Sequence, residues 1–214
     1  MARVTLKRDE LSVRINKLEQ MLSIDMKPSD LVARVEEVIE PEDEKETWEH
    51  DEAVFNLPKA GVLRDAWIVG KFAELAGADC ARLSGDQWPD GVVTIRGRQH
   101  NVEATEAQMP GRRRGDEYRA DRPRVGDGGP RAWDRVEAAV PGVLANAILK
   151  KAAKNYSEPS LLVVLLTIPD YGARHAEIEA HIGNCHFDQR SRFEAVYIIW
   201  KNKLYQLDAA GFGK

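Results

Sequence analysis

Cysteine and long apolar runs are scarce in this chain, and their scarcity excludes several classes of protein. Only Cys80 and Cys185 are present, too few for a disulfide scaffold and at a spacing unlike that of a zinc ribbon. No stretch approaches the ~20 consecutive apolar residues that a membrane-spanning helix needs, and residues 1–8 lack the apolar run of a signal peptide. We therefore expect a cytoplasmic protein with reduced thiols and no membrane partner.

Glycine motifs that bind phosphates or nucleotides are also missing. The chain has no phosphate-binding glycine loop, no Gly-x-Ser-x-Gly elbow and no dinucleotide fingerprint. Its formal net charge of −4 argues against nonspecific coating of nucleic acid, although a local basic patch stays compatible with it. A histidine and cysteine group matches no familiar zinc spacing, and we interpret its members as ordinary polar and core residues: His175, His181, Cys185 and His186.

The chain does contain 43% apolar residues over 214 positions, enough for one sizeable domain. Apolar residues over 8–40 repeat at helical spacing and predict a pair of helices, the second capped by Ser29. The acidic stretch over 40–52 predicts an exposed linker or a solvated helix. We therefore divide the chain into a helical N-terminal extension with an acidic linker (residues 1–57), a candidate homo-oligomer contact, and a main domain (residues 58–214).

The main domain alternates predicted helices and strands, which indicates an α/β fold class of the α+β kind. Residues 62–76 form one apolar helical face, and Gly77 is the expected C-cap. Residues 110–141 predict a long loop with one short helix over 133–140. The other predicted elements are a strand over 81–84, a hairpin over 92–107, a helix from Pro141 to residue 156, a buried strand over 161–166, a helix over 173–182 and strands over 195–200 and 204–207.

The predicted hairpin brings acidic residues together. Strand-forming and alternating residues flank a reversal, which we expect to be centred near Gly97 and Arg98. Cross-strand partners then have numbers that sum to about 195, so Asp90 is expected opposite Thr105 and diagonal to Glu103. Diagonal neighbours lie roughly 7–8 Å apart, a distance that one cation can bridge. Because side chains alternate along a strand, Glu103 and Thr105 are expected on the same face.

The order helix, strand, strand, strand, helix, strand across residues 62–166 resembles the core of the PD-(D/E)xK nuclease superfamily, which includes restriction-endonuclease-like and recombination nucleases. Pro89 and Asp90 open the second strand, and Glu103-Ala104-Thr105 closes the third. The resemblance covers about half of the chain. It implies a restriction-endonuclease-like core with a central mixed sheet flanked by helices. It also implies that Asp90 and Glu103 hold a divalent cation, Mg²⁺ or Mn²⁺.

The sequence departs from that pattern at Thr105, which stands where the family has a lysine. A hydroxyl cannot make the electrostatic contribution of an ammonium, so either activity is lost or the cation comes from elsewhere. Some family members carry the lysine on the following helix, which here contains three: Lys150, Lys151 and Lys154. Leu144, Ile148 and Lys151 fall at helical spacing, so Lys151 should face the sheet and Lys154 is second choice. The alternative is that all three lysines are solvated surface charges.

Two further groups of residues bear on the chemistry. Asp65 is interpreted as an ordinary acid in the first turns of its helix and is assigned no role. Arginines with aromatic neighbours follow the predicted active strand and could clamp a nucleic-acid backbone, because arginine is the favoured phosphate partner. The candidate nucleic-acid-binding residues are Arg112, Arg113, Arg114 and Arg119. The alternative is that these arginines pair with nearby surface acids.

Three functions are therefore open. The first is a metal-dependent endonuclease that hydrolyses phosphodiester bonds in DNA, with Asp90 and Glu103 holding Mg²⁺, completed by a backbone carbonyl and waters, and Lys151 orienting the attacking water. The second, motivated by Thr105, is a catalytically inactive nuclease-fold module for nucleic-acid binding or assembly. The third is an unrelated α+β interaction protein whose N-terminal helices mediate oligomerisation. An amine that converges on the two carboxylates would favour the first.

Overall fold

The computed structural model describes residues 8–39, 60–84, 88–109, 129–168, 175–185 and 193–207. Within these ranges the chain forms five helices and six strands. The helices are α1 (Arg8–Leu22), α2 (Pro28–Ile39), α3 (Ala60–Leu75), α4 (Gly129–Ala152) and α5 (His175–Gly183). The strands are β1 (Cys80–Leu83), β2 (Gly91–Ile95), β3 (Arg98–Gln108), β4 (Ser160–Thr167), β5 (Phe193–Trp200) and β6 (Lys203–Leu207).

The six strands form one mixed sheet in the order β1-β2-β3-β4-β5-β6. Strands β1, β2 and β3 are antiparallel, β3, β4 and β5 are parallel, and β6 is antiparallel to β5. Strand β4 lies inside the sheet, and its continuous apolar run suits burial on both faces. The predicted class, a mixed α/β sheet flanked by helices, is confirmed.

The N-terminal helices pack on one face of this sheet. Ile15 of α1, Leu31 of α2 and Phe72 of α3 belong to one buried cluster together with Val102 and Ala104 of β3. The predicted pair of helices is therefore confirmed, and much of its apolar surface packs within the chain. The acidic linker over 40–52 lies outside the described residues.

Two expectations about helix ends have different outcomes. Gly77 follows α3 with a φ of 64°, as a glycine C-cap requires. The expected cap at Ser29 is wrong, because α2 begins at Pro28 and its first backbone bonds run to the carbonyl of Lys27. Proline suits a first helical position because its missing N–H would have no partner inside the helix.

The opposite face of the sheet is covered by α4 and α5. The predicted break at Pro141 is wrong, because α4 runs unbroken from Gly129 to Ala152 with this exposed proline inside it. An interior proline costs about 3 kcal/mol, whereas burying one valine, leucine or isoleucine contributes about 1.5–3 kcal/mol. The buried side chains that offset the cost of the proline lie on both sides of it in the helix: Val136, Val140, Val143, Leu144 and Ile148.

The hairpin turn lies one residue earlier than predicted. Arg96 and Gly97 have φ values of 51° and 74°, and Ile95 pairs with Arg98. Two consecutive residues with positive φ form the two-residue turn whose twist matches the flanking strands. Gly91 consequently pairs with Val102. The expected register, with partner numbers that sum to about 195, is therefore wrong, because the observed partners sum to 193, as 91 and 102 do.

Candidate functional site

Three charged side chains from separate parts of the fold converge on one point. Asp90 immediately precedes β2, Glu103 lies on β3, and Lys151 lies in the last turn of α4. The Lys151 Nζ atom is 2.7 Å from Glu103 Oε2 and 3.1 Å from Asp90 Oδ2. The expectation that Lys151 faces the sheet is confirmed, whereas Lys150 and Lys154 are exposed.

Backbone geometry holds Asp90 beside β3. The backbone N–H of Ala104 donates a hydrogen bond to Asp90 Oδ2 over 2.8 Å. The adjacent Gly91 allows α3 to pack closely against this corner, because a Cβ there would lie 2.8 Å from Val69 Cγ1 and 2.9 Å from the Arg82 carbonyl oxygen. The Asp90-Gly91 pair therefore places a carboxylate where the sheet and α3 meet.

Tyr156 completes the immediate surroundings of Glu103. Its hydroxyl donates to Glu103 Oε2 over 3.2 Å, the same oxygen that Lys151 approaches. Its ring lies 6.1 Å from the ring of Trp88 and 5.5 Å from that of Phe193, measured between centroids. The sequence places Tyr156 at the end of a predicted helix and assigns it no role, but that helix end is wrong, because α4 ends at Ala152 and Tyr156 lies beyond it. The only signal was its position five residues after Lys151.

Burial dominates the electrostatics of Glu103. Only 2% of Glu103 is exposed, and burial raises the pKa of its carboxyl, with the charge of Asp90 acting in the same direction. Hydrogen bonds from Lys151 and Tyr156 act in the opposite direction. Burial also raises the pKa of the Tyr156 hydroxyl, with the Glu103 carboxylate adding to the shift.

Lys151 remains charged although it is largely buried. Burial lowers the pKa of its ammonium, but the charges and hydrogen bonds of Asp90 and Glu103 outweigh burial and raise that pKa overall. The site therefore places one ammonium against two carboxylates and keeps an excess of negative charge. Such an excess favours binding of a further cation.

Asp65 of α3 belongs to the electrostatic surroundings of the site. Burial raises the pKa of its carboxyl, the neighbouring Arg64 lowers it, and the charge of Asp90 raises it. Arg64 Nη2 lies 2.7 Å from Asp65 Oδ1. The sequence analysis gave Asp65 no role, and its coupling to Asp90 and Lys151 could only be seen once α3 was packed against the sheet.

The chemistry of the donors suits Mg²⁺. Magnesium prefers hard oxygen ligands, keeps several waters, and is commonly held by only one or two carboxylates. Asp90 and Glu103 supply two carboxylates whose oxygens face a common point. Within the described ranges no three histidine, cysteine, aspartate or glutamate side chains form a metal-binding group, so water and a backbone carbonyl would complete the coordination.

A second lysine, glutamate and tyrosine cluster shows what is particular to the first. Glu179 Oε1 accepts hydrogen bonds from Lys203 Nζ over 2.5 Å and from the Tyr205 hydroxyl over 2.9 Å. Glu179 lies at the surface, and its bond to Lys203 lowers the pKa of its carboxyl. The Glu103 cluster differs in being buried and in having Asp90 as a second carboxylate on the same lysine.

The remaining predicted site residues have mixed outcomes. Thr105 lies on β3 two residues after Glu103, and alternation places both on the face opposite that of Val102 and Ala104. The ammonium that lies beside the two carboxylates belongs to Lys151. The predicted nucleic-acid-binding residues lie outside the described part of the chain: Arg112, Arg113, Arg114 and Arg119.

Comparison with protein-family models, with curated proteins and with solved structures gives no match to this chain. A functional assignment therefore depends on the geometry of Asp90, Glu103 and Lys151. Across the described ranges, none of the helices combines the length and apolar character that crossing a membrane requires.

Proposed function

We propose that this chain is a metal-dependent endonuclease that hydrolyses phosphodiester bonds in DNA, with a restriction-endonuclease-like core. The observation that carries the proposal is the convergence of Lys151 Nζ on both Asp90 and Glu103. A second carboxylate beside a buried one raises the free-energy cost of keeping both groups ionised. A bound divalent cation would offset that cost.

The topology supports the same proposal. The order α3-β1-β2-β3-α4-β4 has antiparallel pairing among the first three strands and parallel pairing between β3 and β4. This is the element order that carries the resemblance to the PD-(D/E)xK superfamily. Asp90 immediately precedes the second strand and Glu103 lies on the third, which agrees with the order of the two acids that the resemblance implies.

Each residue has a role that follows from its chemistry. Asp90 and Glu103 would hold Mg²⁺ or Mn²⁺, which when bound supplies positive charge to the scissile phosphate and activates water. An ammonium has three donors and no acceptor, so Lys151 would orient the attacking water or offset phosphate charge. The arginine segment over 112–119 would contact the nucleic-acid backbone.

A second candidate is a catalytically inactive nuclease-fold module that binds nucleic acid or supports assembly. Two observations favour it: Thr105 occupies the motif's lysine position, and Lys151 hydrogen-bonds both carboxylates. In that case Lys151 would serve only to neutralise the buried acids.

Metal binding by the proposed acids tests the assignment. We expect isothermal titration calorimetry to detect binding of Mn²⁺ or Mg²⁺ to the wild type and to lose it in the Asp90→Ala, Glu103→Ala double variant. The matched control is Glu179→Gln, which alters a glutamate with similar lysine and tyrosine partners outside the site. Retention of wild-type affinity by the double variant would exclude this metal site.

A further inference from the structure

We infer that Tyr156 is a positioning residue that sets the orientation of Glu103 toward Asp90 and Lys151. The inference rests on the proposed function and extends it beyond the three charged residues. Tyr156 OH lies 3.2 Å from Glu103 Oε2, and Lys151 Nζ lies 2.7 Å from the same oxygen. Two donors on one oxygen restrict the rotation of the carboxylate more than either donor alone.

The ring of Tyr156 also contacts the segment that carries the other acid. Its centroid is 6.1 Å from that of Trp88, which lies two residues before Asp90. The Trp88 Nε1 atom is buried and has no hydrogen-bond partner in the described structure, so packing of its ring, rather than a polar contact, must hold this indole. Tyr156 therefore touches the surroundings of both carboxylates, through its hydroxyl on one side and its ring on the other.

Phe193 of β5 supports Tyr156 from another direction. The two ring centroids are 5.5 Å apart at an interplanar angle of 52°, within the range of favourable tilted aromatic pairs. Tyr156 follows the end of α4, and its ring contact with Phe193 adds to the hydroxyl bond with Glu103 in connecting it to the sheet. The tyrosine ring is thus held in place independently of its hydroxyl, and the two contributions can be separated by mutation.

Replacement of Tyr156 by phenylalanine makes that separation. Tyr156→Phe keeps the ring between Trp88 and Phe193 and removes only the donor to Glu103. Loss of a group that orients a metal ligand typically lowers metal affinity by about 10- to 100-fold. We expect calorimetry to show Mn²⁺ affinity reduced by about tenfold or more. Single-turnover cleavage at saturating Mn²⁺ should fall much less, because the metal then holds Glu103 itself.

Tyr205→Phe is the matched control, because it removes a tyrosine hydroxyl that donates to a surface glutamate, Glu179. This control should leave Mn²⁺ affinity unchanged. A double-mutant cycle that combines Tyr156→Phe with Glu103→Leu, which removes the acceptor, followed by urea unfolding, gives a second readout that needs no metal. We expect coupling equivalent to about a tenfold change in the unfolding constant.

The outcomes separate this inference from the proposed function. If the wild type binds no Mn²⁺, the proposed function is wrong and the role of Tyr156 in it falls as well. If the wild type binds Mn²⁺ and Tyr156→Phe binds equally well, only the inference about Tyr156 is overturned. Weaker binding without coupling to Glu103 would also overturn it, because the effect would then come from the ring.

Discussion

The Lys151 ammonium lies 2.7 Å from the Glu103 carboxylate although 48 positions separate the two residues along the chain. Lys151 comes from α4 and Glu103 from β3, and α4 is the element that connects β3 to its parallel neighbour β4. A lysine on this crossover helix can therefore reach a glutamate on the preceding strand. The ammonium beside the two acids therefore comes from the helix and not from the strand position of Thr105.

Replacement of Lys151 tests whether this ammonium serves catalysis. We expect Lys151→Ala to reduce single-turnover cleavage by about 100-fold or more, because removal of one preorganised electrostatic group commonly costs this much. Folding, checked by circular dichroism, and nucleic-acid binding should be retained. Lys150→Ala is the control, since that side chain is exposed on the same helix.

The assay should use a mixed panel of DNA and RNA with Mg²⁺ or Mn²⁺. Cleavage by Lys151→Ala at the wild-type rate would rule out a migrated lysine. Absence of cleavage by the wild type on the whole panel would favour the inactive module instead.

Arginine replacement tests how nucleic acid is bound. We expect the triple variant Arg112→Ala, Arg113→Ala, Arg114→Ala to bind DNA more weakly and with a flatter dependence on salt concentration. Each phosphate contact releases counterions from DNA on binding, so a variant with fewer contacts releases fewer counterions. Turnover at saturating DNA should change little. The measurement is the slope of log affinity against log salt, and an unchanged slope would show that these arginines do not contact phosphate.

The Lys151 ion pair predicts how stability depends on pH in metal-free protein. The carboxylates raise the pKa of Lys151 above its ordinary value of 10.5. Its contribution to folding is therefore fully present below pH 10.5 and is lost as the pH rises through the folded-state pKa. With EDTA present, the difference in unfolding free energy between wild type and Lys151→Met should stay constant up to about pH 10.5 and shrink as the pH rises further.

Lys150→Met controls for the general loss of a lysine charge at alkaline pH. A difference between wild type and Lys151→Met that stays constant across this range would mean that Lys151 makes no favourable ion pair in the folded state.

Gly91 predicts a cost in stability next to the site. A Cβ at this position would meet Val69 and the Arg82 carbonyl at 2.8 and 2.9 Å, so Gly91→Ala should destabilise the protein by about 1–3 kcal/mol through overpacking. Gly142→Ala is the control: nothing lies within 4 Å of its added Cβ, and alanine in the exposed helix should stabilise by about 0.5–1 kcal/mol. Urea unfolding of both variants measures the contrast. Equal stabilities would contradict the close approach of α3 to β2.

The sequence by itself determined the main elements of the fold, because local periodicity and turn chemistry are properties of neighbouring residues. Spacing over a few positions predicts three of these features: the apolar run of β4, the C-cap at Gly77 and the orientation of Lys151 on α4. The sequence pattern predicts the hairpin but puts its turn one residue late. Arg96 has a positive φ, and an arginine does not signal such a conformation as a glycine does.

Only the tertiary structure decided how distant elements meet. Helix α4 continues past Pro141 because it packs against the sheet. The free energy gained by burying several of its side chains exceeds the cost of one proline inside the helix. The packing of α4 also brings Tyr156 onto Glu103, and the packing of α3 against the sheet places Asp65 in the field of Asp90. These contacts join residues far apart in sequence, so no local pattern contains them.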